Sequence, residues 1–63
     1  MKKTILLLED DRNLNRGISM RLEKEGFRVL SAFTASGAED LFEKNEVHLI
    51  ISDINLSEGS GLD

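Results

Sequence analysis

The sequence predicts an α/β fold in which strands and helices alternate along the chain and the strands form a parallel sheet. Three short apolar runs are typical of strands that are covered on both faces. Two segments between these runs have the periodicity of helices with one apolar face. The order is therefore β-α-β-α-β, and this alternation implies right-handed crossovers between parallel strands.

The first strand and the first helix are the clearest elements. The first strand is predicted over Thr4–Leu8, a continuous apolar run. A helix is predicted from about residue 12 to residue 25, because apolar side chains recur there every four residues. These side chains are Leu14, Ile18 and Leu22. Gly26 follows, where a left-handed residue commonly ends a helix, and the second strand is predicted over residues 27–32.

The second helix is expected to begin at Ser36. Ser36 and Glu39 have the spacing of a capping box, in which each side chain binds a free backbone N–H of the other residue. The helix has a narrow apolar stripe made of Ala38, Leu41 and Phe42. Asn45 is a plausible end, and the third strand is predicted over residues 48–53.

Composition excludes several classes of function. The chain has 63 residues, of which 40% are hydrophobic and 32% are charged, and this balance is typical of a globular protein. Its net charge of −4 argues against direct binding of nucleic acid by these residues. The sequence contains no cysteine, which excludes disulfides and thiolate chemistry. The apolar run after the first lysines is too short for a signal peptide, so a cytoplasmic location is expected.

Acidic side chains follow two of the predicted strands at their carboxyl ends. Glu9, Asp10 and Asp11 follow the first strand, and Asp53 ends the third. Ligands of open α/β sheets bind at this edge, and the four acids converge there if the first strand lies between the other two. Carboxylates about 4 Å apart repel by roughly 4 kcal/mol at an effective dielectric of about 20, so a cation is expected among them. A few carboxylates with room for water suit Mg²⁺.

Each of these acids also has an ordinary structural explanation. Acids before a helix interact favourably with the positive end of its dipole, and an Asp after a strand can form a turn with its own backbone. The joint position of the acids at two strand ends favours a binding site. His48 is the only histidine and has no candidate nucleophile in the pattern, so a structural or solvent-facing role is expected for it.

Three motifs resemble the first half of a response-regulator receiver domain of two-component signalling. They are ILLLEDD at residues 5–11, LEKEGF at 22–27 and LIISDINLSEGSGLD at 49–63. The separation between the acidic pair and Asp53 agrees with the common pattern of that family. The resemblance implies a flavodoxin-like, doubly wound parallel sheet truncated to β1-α1-β2-α2-β3, with strand order 2-1-3.

The resemblance also implies a chemistry for the acids. Asp53 is expected to accept a phosphoryl group from the phosphohistidine of a sensor histidine kinase, as a carboxylate nucleophile and not as part of a turnover enzyme. Mg²⁺ is expected to be held by Asp10 and Asp53, by Glu9 directly or through water, and by the backbone carbonyl of Asn55. Asp11 lies one place beyond the acidic pair and is the weaker candidate. The parent protein is expected to control transcription through a DNA-binding output domain.

The sequence departs from the family at one loop position, and it lacks the family's second half. Receivers commonly have Pro where this chain has Ser57. In the family, the second half of the domain supplies a Ser or Thr hydroxyl and a Lys that contact the phosphoryl group. Ser60 and Asp63 again have capping-box spacing, which predicts the start of a third helix. Residues 1–63 are therefore expected to be the N-terminal half of a receiver domain.

Two other functions are compatible with parts of the pattern. A pseudo-receiver would use the same fold as an interaction module without phosphorylation, although the joint presence of Glu9, Asp10 and Asp53 argues against it. DINLS at 53–57 is similar to the nucleophile loop of haloacid dehalogenase-like phosphatases, but that loop normally follows the first strand. The apolar third strand is also expected to form an exposed edge, which predicts self-association of the 63-residue polypeptide.

Overall fold

The fold of the chain is a three-stranded parallel sheet with helices packed against it, seen in a computed structural model that describes residues 2–52. The strand order is β2-β1-β3, so the predicted fold class, the parallel pairing and the order 2-1-3 are confirmed. The elements are β1 (Thr4–Leu8), α1 (Arg12–Lys24), β2 (Arg28–Ala32), α2 (Ala35–Lys44) and β3 (Leu49–Ser52).

The predicted bounds of the helices and strands agree with the structure to within about one residue. The exception is the N-cap of α2, which differs from the predicted one and is described below. β1 has the predicted bounds, while β2 and β3 each begin one residue later than predicted. Asp53, Asn55, Ser57 and the predicted third helix at Ser60 lie outside the described residues. No helix in residues 2–52 combines the length and the apolar character that crossing a membrane requires.

The central strand β1 carries the core because both of its neighbours and both helices cover it. Ile5, Leu6 and Leu7 are each at most 2% exposed. In the register, Leu6 pairs with Leu30 of β2 and with Ile50 of β3. A strand that is buried on both faces has no need of polar alternation, which explains the continuous apolar run in the sequence.

The α2 face of the sheet holds the main apolar cluster. Its buried members are Leu6, Ala32 and Ala38, with Leu8, Leu30, Leu41 and Val47 packed around them. The chain moves from β1 to β2 in one direction and from β2 across β1 to β3 in the other. Right-handed crossovers therefore place α1 on the opposite face from α2.

The outer part of the sheet is much less covered than β1. Within residues 2–52, β3 pairs only with β1, and its Leu49 and Ile50 are 53% and 51% exposed. Phe42 on α2 is similarly exposed. The predicted stripe of α2 is therefore only partly buried, with Ala38 and Leu41 packed inward and Phe42 at the margin of a groove that also includes Ile50.

The beginning of α2 corrects the prediction of a capping box at Ser36. The N-cap is Thr34, whose hydroxyl accepts a hydrogen bond from the Gly37 N–H at 3.1 Å. Ser36 lies inside the first turn of the helix. Thr34 has extended backbone angles that an N-cap requires, and this conformation depends on where β2 ends. The predicted end at Asn45 is confirmed.

Candidate functional site

The candidate site lies at the carboxyl edge of the sheet, where β1 and β3 end side by side. In the register, Leu8 at the end of β1 pairs with Ser52 at the end of β3. Glu9 and Asp10 follow Leu8 in the chain, and Asp53 follows Ser52. The pairing therefore brings the two acidic segments to the same edge as far as residue 52, and the structure of Asp53 lies outside the described residues.

Glu9 is built into the turn between β1 and α1. It is only 3% exposed. Its Oε2 accepts a hydrogen bond from the Asp11 N–H at 3.0 Å, and its own N–H donates to the Ala32 carbonyl at 3.1 Å. Glu9 therefore links the end of β1 to the end of β2 and also orders the first residues that lead into α1.

Asp10 and Asp11 differ in what their side chains do. Asp11 is the N-cap of α1, and its Oδ1 accepts from the Leu14 N–H at 3.1 Å. This contact is the helix-capping role that the sequence offers as an alternative for the acids. Asp10 is solvent-exposed directly after the buried Glu9. Of the three consecutive acids, Asp10 is thus exposed and is not the helix cap.

Asn15 is a site residue that the sequence reasoning missed. It is 1% exposed, and its Nδ2 donates to the carbonyls of Glu9 and Ala32, each at 3.1 Å. The inward face of α1 includes Asn15, Ile18 and Leu22, whereas Leu14 is 48% exposed. Spacings of three and four residues describe a helix face better than repeated fours, and this signal could have identified Asn15.

Arg12 is exposed but its side chain lies over an aromatic ring. Its guanidinium carbon lies 4.6 Å from the centre of the Phe33 ring. This cation–π contact joins the first turn of α1 to the residue that follows β2. The contact keeps a positive charge near the same edge of the sheet as the acids.

The donor set at this edge fits Mg²⁺, although the residues described supply only part of a metal site. Carboxylate oxygens with open positions for water are what Mg²⁺ prefers. Within residues 2–52 no group of three or more acidic, His or Cys side chains is arranged to hold a metal. Glu9 and Asp10 are the two sequence-predicted ligands of this edge that the structure describes, and by themselves they do not make such a group.

His48 lies at the opposite edge, away from the acids, as expected for a structural histidine. The Nδ1 of the His48 ring accepts from the Thr4 backbone N–H at 3.0 Å, and the His48 backbone N–H donates to the Thr4 carbonyl at 2.9 Å. This pair of hydrogen bonds joins the beginnings of β1 and β3. The prediction of a structural or solvent-facing role for His48 is confirmed, because the residue pairs with Thr4 and its side chain is 37% exposed.

Comparison with known proteins agrees with this geometry. The family model for the response regulator receiver domain matches residues 5–63. The chain belongs to the response regulator receiver domain family. A solved structure, the non-phosphorylated HemR receiver domain from Leptospira biflexa, superposes on it with a TM-score of 0.80 at 41% identity. The match covers 92% of this chain and 47% of the HemR chain.

Similar sequences in this family are transcriptional regulators. The transcriptional regulatory protein VxrB of Vibrio cholerae is 36% identical over 98% of this chain, and GlrR of Escherichia coli is 38% identical over 92%. The cell cycle transcriptional regulator CtrA of Caulobacter vibrioides is 36% identical over 94%. The chain spans 24% of VxrB, 13% of GlrR and 26% of CtrA. It is thus a receiver sequence of the kind found in transcriptional response regulators.

Proposed function

We propose that residues 1–63 form the N-terminal half of a phosphoacceptor receiver domain, in which Asp53 takes a phosphoryl group from a sensor histidine kinase. The observation that supports this most directly is the pairing of Leu8 with Ser52. It places the exposed Asp10 and the chain neighbour of Asp53 at adjacent strand ends. Membership of the receiver family supports the same assignment.

In the proposed reaction a carboxylate oxygen of Asp53 attacks the phosphorus of a phosphohistidine. A P–O bond forms while the P–N bond breaks, and the imidazole nitrogen leaves with the electron pair and takes up a proton. The phosphoryl group then stays on the protein as an acyl phosphate. The chain is therefore proposed to act as a phosphate carrier and not as a turnover enzyme.

Mg²⁺ is the proposed cofactor, held by Glu9, Asp10 and Asp53 and by the backbone carbonyl of Asn55. When bound, the ion offsets negative charge on the phosphoryl oxygens. The exposure of Asp10 favours it as a direct ligand. Glu9 is buried and accepts from the Asp11 N–H, which favours contact with the ion through a water molecule.

The output is proposed to be transcriptional control through a DNA-binding domain that is separate from these residues. The related VxrB, GlrR and CtrA are transcriptional regulators by name and are much longer than this chain. The negative charge of residues 1–63 argues against DNA contact by this segment. A cytoplasmic location belongs to the same proposal, because a transcriptional regulator acts where the DNA lies.

The experiment that tests this function is phosphorylation of the full-length protein with acetyl phosphate and Mg²⁺, followed by intact-mass measurement. We expect one labile phosphoryl group in the wild type, none in Asp53→Asn, and one in the control Asp40→Asn. Asp40 is an exposed acid on α2 that pairs with Lys44, so it matches the change in charge without touching the site. Absence of an adduct in the wild type would favour a pseudo-receiver, and turnover of a phosphoester would favour a phosphatase.

A further inference from the structure

We propose that Asn15 is a positioning residue for the metal-binding acids Glu9 and Asp10. The inference rests on the proposed function and adds a residue of α1 that does not itself touch the ion. It is based on the two hydrogen bonds that the Asn15 amide makes at the carboxyl edge of the sheet.

Asn15 connects three elements through a closed set of hydrogen bonds. Its Nδ2 donates to the carbonyls of Glu9 and Ala32, and the Ala32 carbonyl also accepts from the Glu9 N–H. The Ala32 oxygen therefore has two donors, which matches the two lone pairs of a carbonyl. The ends of β1 and β2 are thereby tied to the first turns of α1 by one buried side chain.

The carbonyl of Glu9 has a particular importance because it belongs to the peptide group between the two acids. A peptide group is planar, so a hydrogen bond that fixes the Glu9 oxygen also fixes the orientation of the Asp10 N–H and Cα. Asp10 is exposed and Asp11 is engaged as the N-cap. The bond from Asn15 therefore fixes the peptide plane from which Asp10 projects, and the bond from the Asp11 N–H to Glu9 Oε2 holds the backbone on the other side of Asp10.

Burial makes this arrangement rigid. Asn15 is 1% exposed, and a water molecule has little access to replace its amide. Loss of a donor to a buried carbonyl is unfavourable, so the bond to the Glu9 carbonyl favours the observed rotamer of Asn15. The Ala32 carbonyl has the Glu9 N–H as a second donor. Groups that hydrogen-bond to metal ligands without touching the metal commonly contribute about tenfold or more to metal affinity.

The test compares Asn15→Leu with Asn13→Leu in the full-length natural protein. Leu has a similar size to Asn and cannot donate, and Asn13 is an exposed residue of the same helix turn. We measure the dissociation constant for Mg²⁺ by calorimetry, at a temperature where urea unfolding shows that each variant is folded. The expected result is an increase of about tenfold or more for Asn15→Leu and less than about twofold for Asn13→Leu.

A role in stability alone gives a different result. Asn15→Leu would then unfold at lower urea concentration and bind Mg²⁺ as tightly as the wild type, and this outcome would overturn the inference. If Asn15→Leu does not fold, Asn15→Ser, which keeps a short hydroxyl donor, is measured in the same way. Failure of both variants to fold would also count against a positioning role.

Mg²⁺ binding by the wild-type protein shows whether a negative result concerns this inference or the proposed function. If the wild type binds Mg²⁺ and Asn15→Leu binds it equally well, only the role of Asn15 is lost. If the wild type does not bind Mg²⁺ at all, the proposed metal site fails and the inference fails with it.

Discussion

The two ends of the sheet carry opposite charges and use their polar groups differently. At the carboxyl edge, Glu9, Asp10 and Asp11 follow one strand in succession. At the amino edge, a surface cavity is lined by the basic side chains of Lys2, Lys3 and Arg28, together with Thr4, Glu46 and His48.

The difference between the two edges is one of role: polar groups at the amino edge join strands, whereas the carboxyl edge leaves an acidic side chain exposed. At the amino edge, His48 and Thr4 form two hydrogen bonds with each other. These bonds satisfy the polar groups involved without an outside ligand. At the carboxyl edge the hydrogen bonds hold the backbone, and the carboxylate of Asp10 is left exposed.

The largest effect that would sharpen this comparison is expected from Asp10→Ala. Removal of the proposed direct ligand should weaken Mg²⁺ binding by the full-length protein by at least about tenfold, since even groups that only orient metal ligands contribute this much. Lys3→Ala at the amino edge is the control and should leave the dissociation constant within about twofold. Equal losses in the two variants, measured by calorimetry, would show that the carboxyl edge has no special role.

A smaller effect, on stability, is expected from Asp11→Ala. Loss of the N-cap should lower the free energy of unfolding by about 1 kcal/mol in urea titrations. Asn13→Ala serves as the control within the same helix turn. Mg²⁺ binding should be weakened much less than in Asp10→Ala, because the Asp11 carboxylate caps the helix. A loss of Mg²⁺ affinity as large as that of Asp10→Ala would assign Asp11 to the metal site instead.

His48→Ala is expected to have a still smaller effect, of about 0.5 kcal/mol on the free energy of unfolding. The His48 side chain is 37% exposed, so water can partly replace its nitrogen as the acceptor for the Thr4 N–H. Amide hydrogen exchange at Thr4 should become faster, while Mg²⁺ affinity should not change. Glu46→Ala is the matched control, because Glu46 is 89% exposed and lies 3.9 Å from the His48 Nε2. Unchanged exchange at Thr4 would contradict the strand-joining role.

The weakest effect is expected at the outer side of β3, which belongs to neither end of the sheet. Leu49 and Ile50 are about half exposed there. The polypeptide of residues 1–63, studied by itself, should therefore self-associate at high concentration. Sedimentation velocity should show a mass that rises with concentration and rises less in Ile50→Lys. A monomer at every concentration would exclude this association.

The parts of the fold that depend on neighbouring residues in the chain were predictable. β1 was predicted with its correct bounds because a strand that is buried on both faces has no polar residues inside it. Gly26 was predicted as the residue after α1, and its φ of 102° lies in the left-handed region that favours glycine.

The errors concern features that depend on the position of a helix against the sheet. Ser36 has the right spacing for an N-cap, but Thr34 is reached first as the chain leaves β2, and its hydroxyl takes the Gly37 N–H. The repeat of apolar side chains every four residues assigns Leu14 to the inward face of α1, whereas Asn15 is the residue that turns toward the strand ends. A polar residue is favoured inside only where carbonyls need donors, and the local sequence does not show where such carbonyls lie.

The sequence by itself determined the order of the elements, the buried central strand and the grouping of acids after β1, because each depends on local composition and periodicity. The tertiary structure alone decided that Glu9 turns inward and that Asn15 binds two strand ends. These roles depend on which backbone groups from distant parts of the chain come within about 3 Å, the distance over which a hydrogen bond forms.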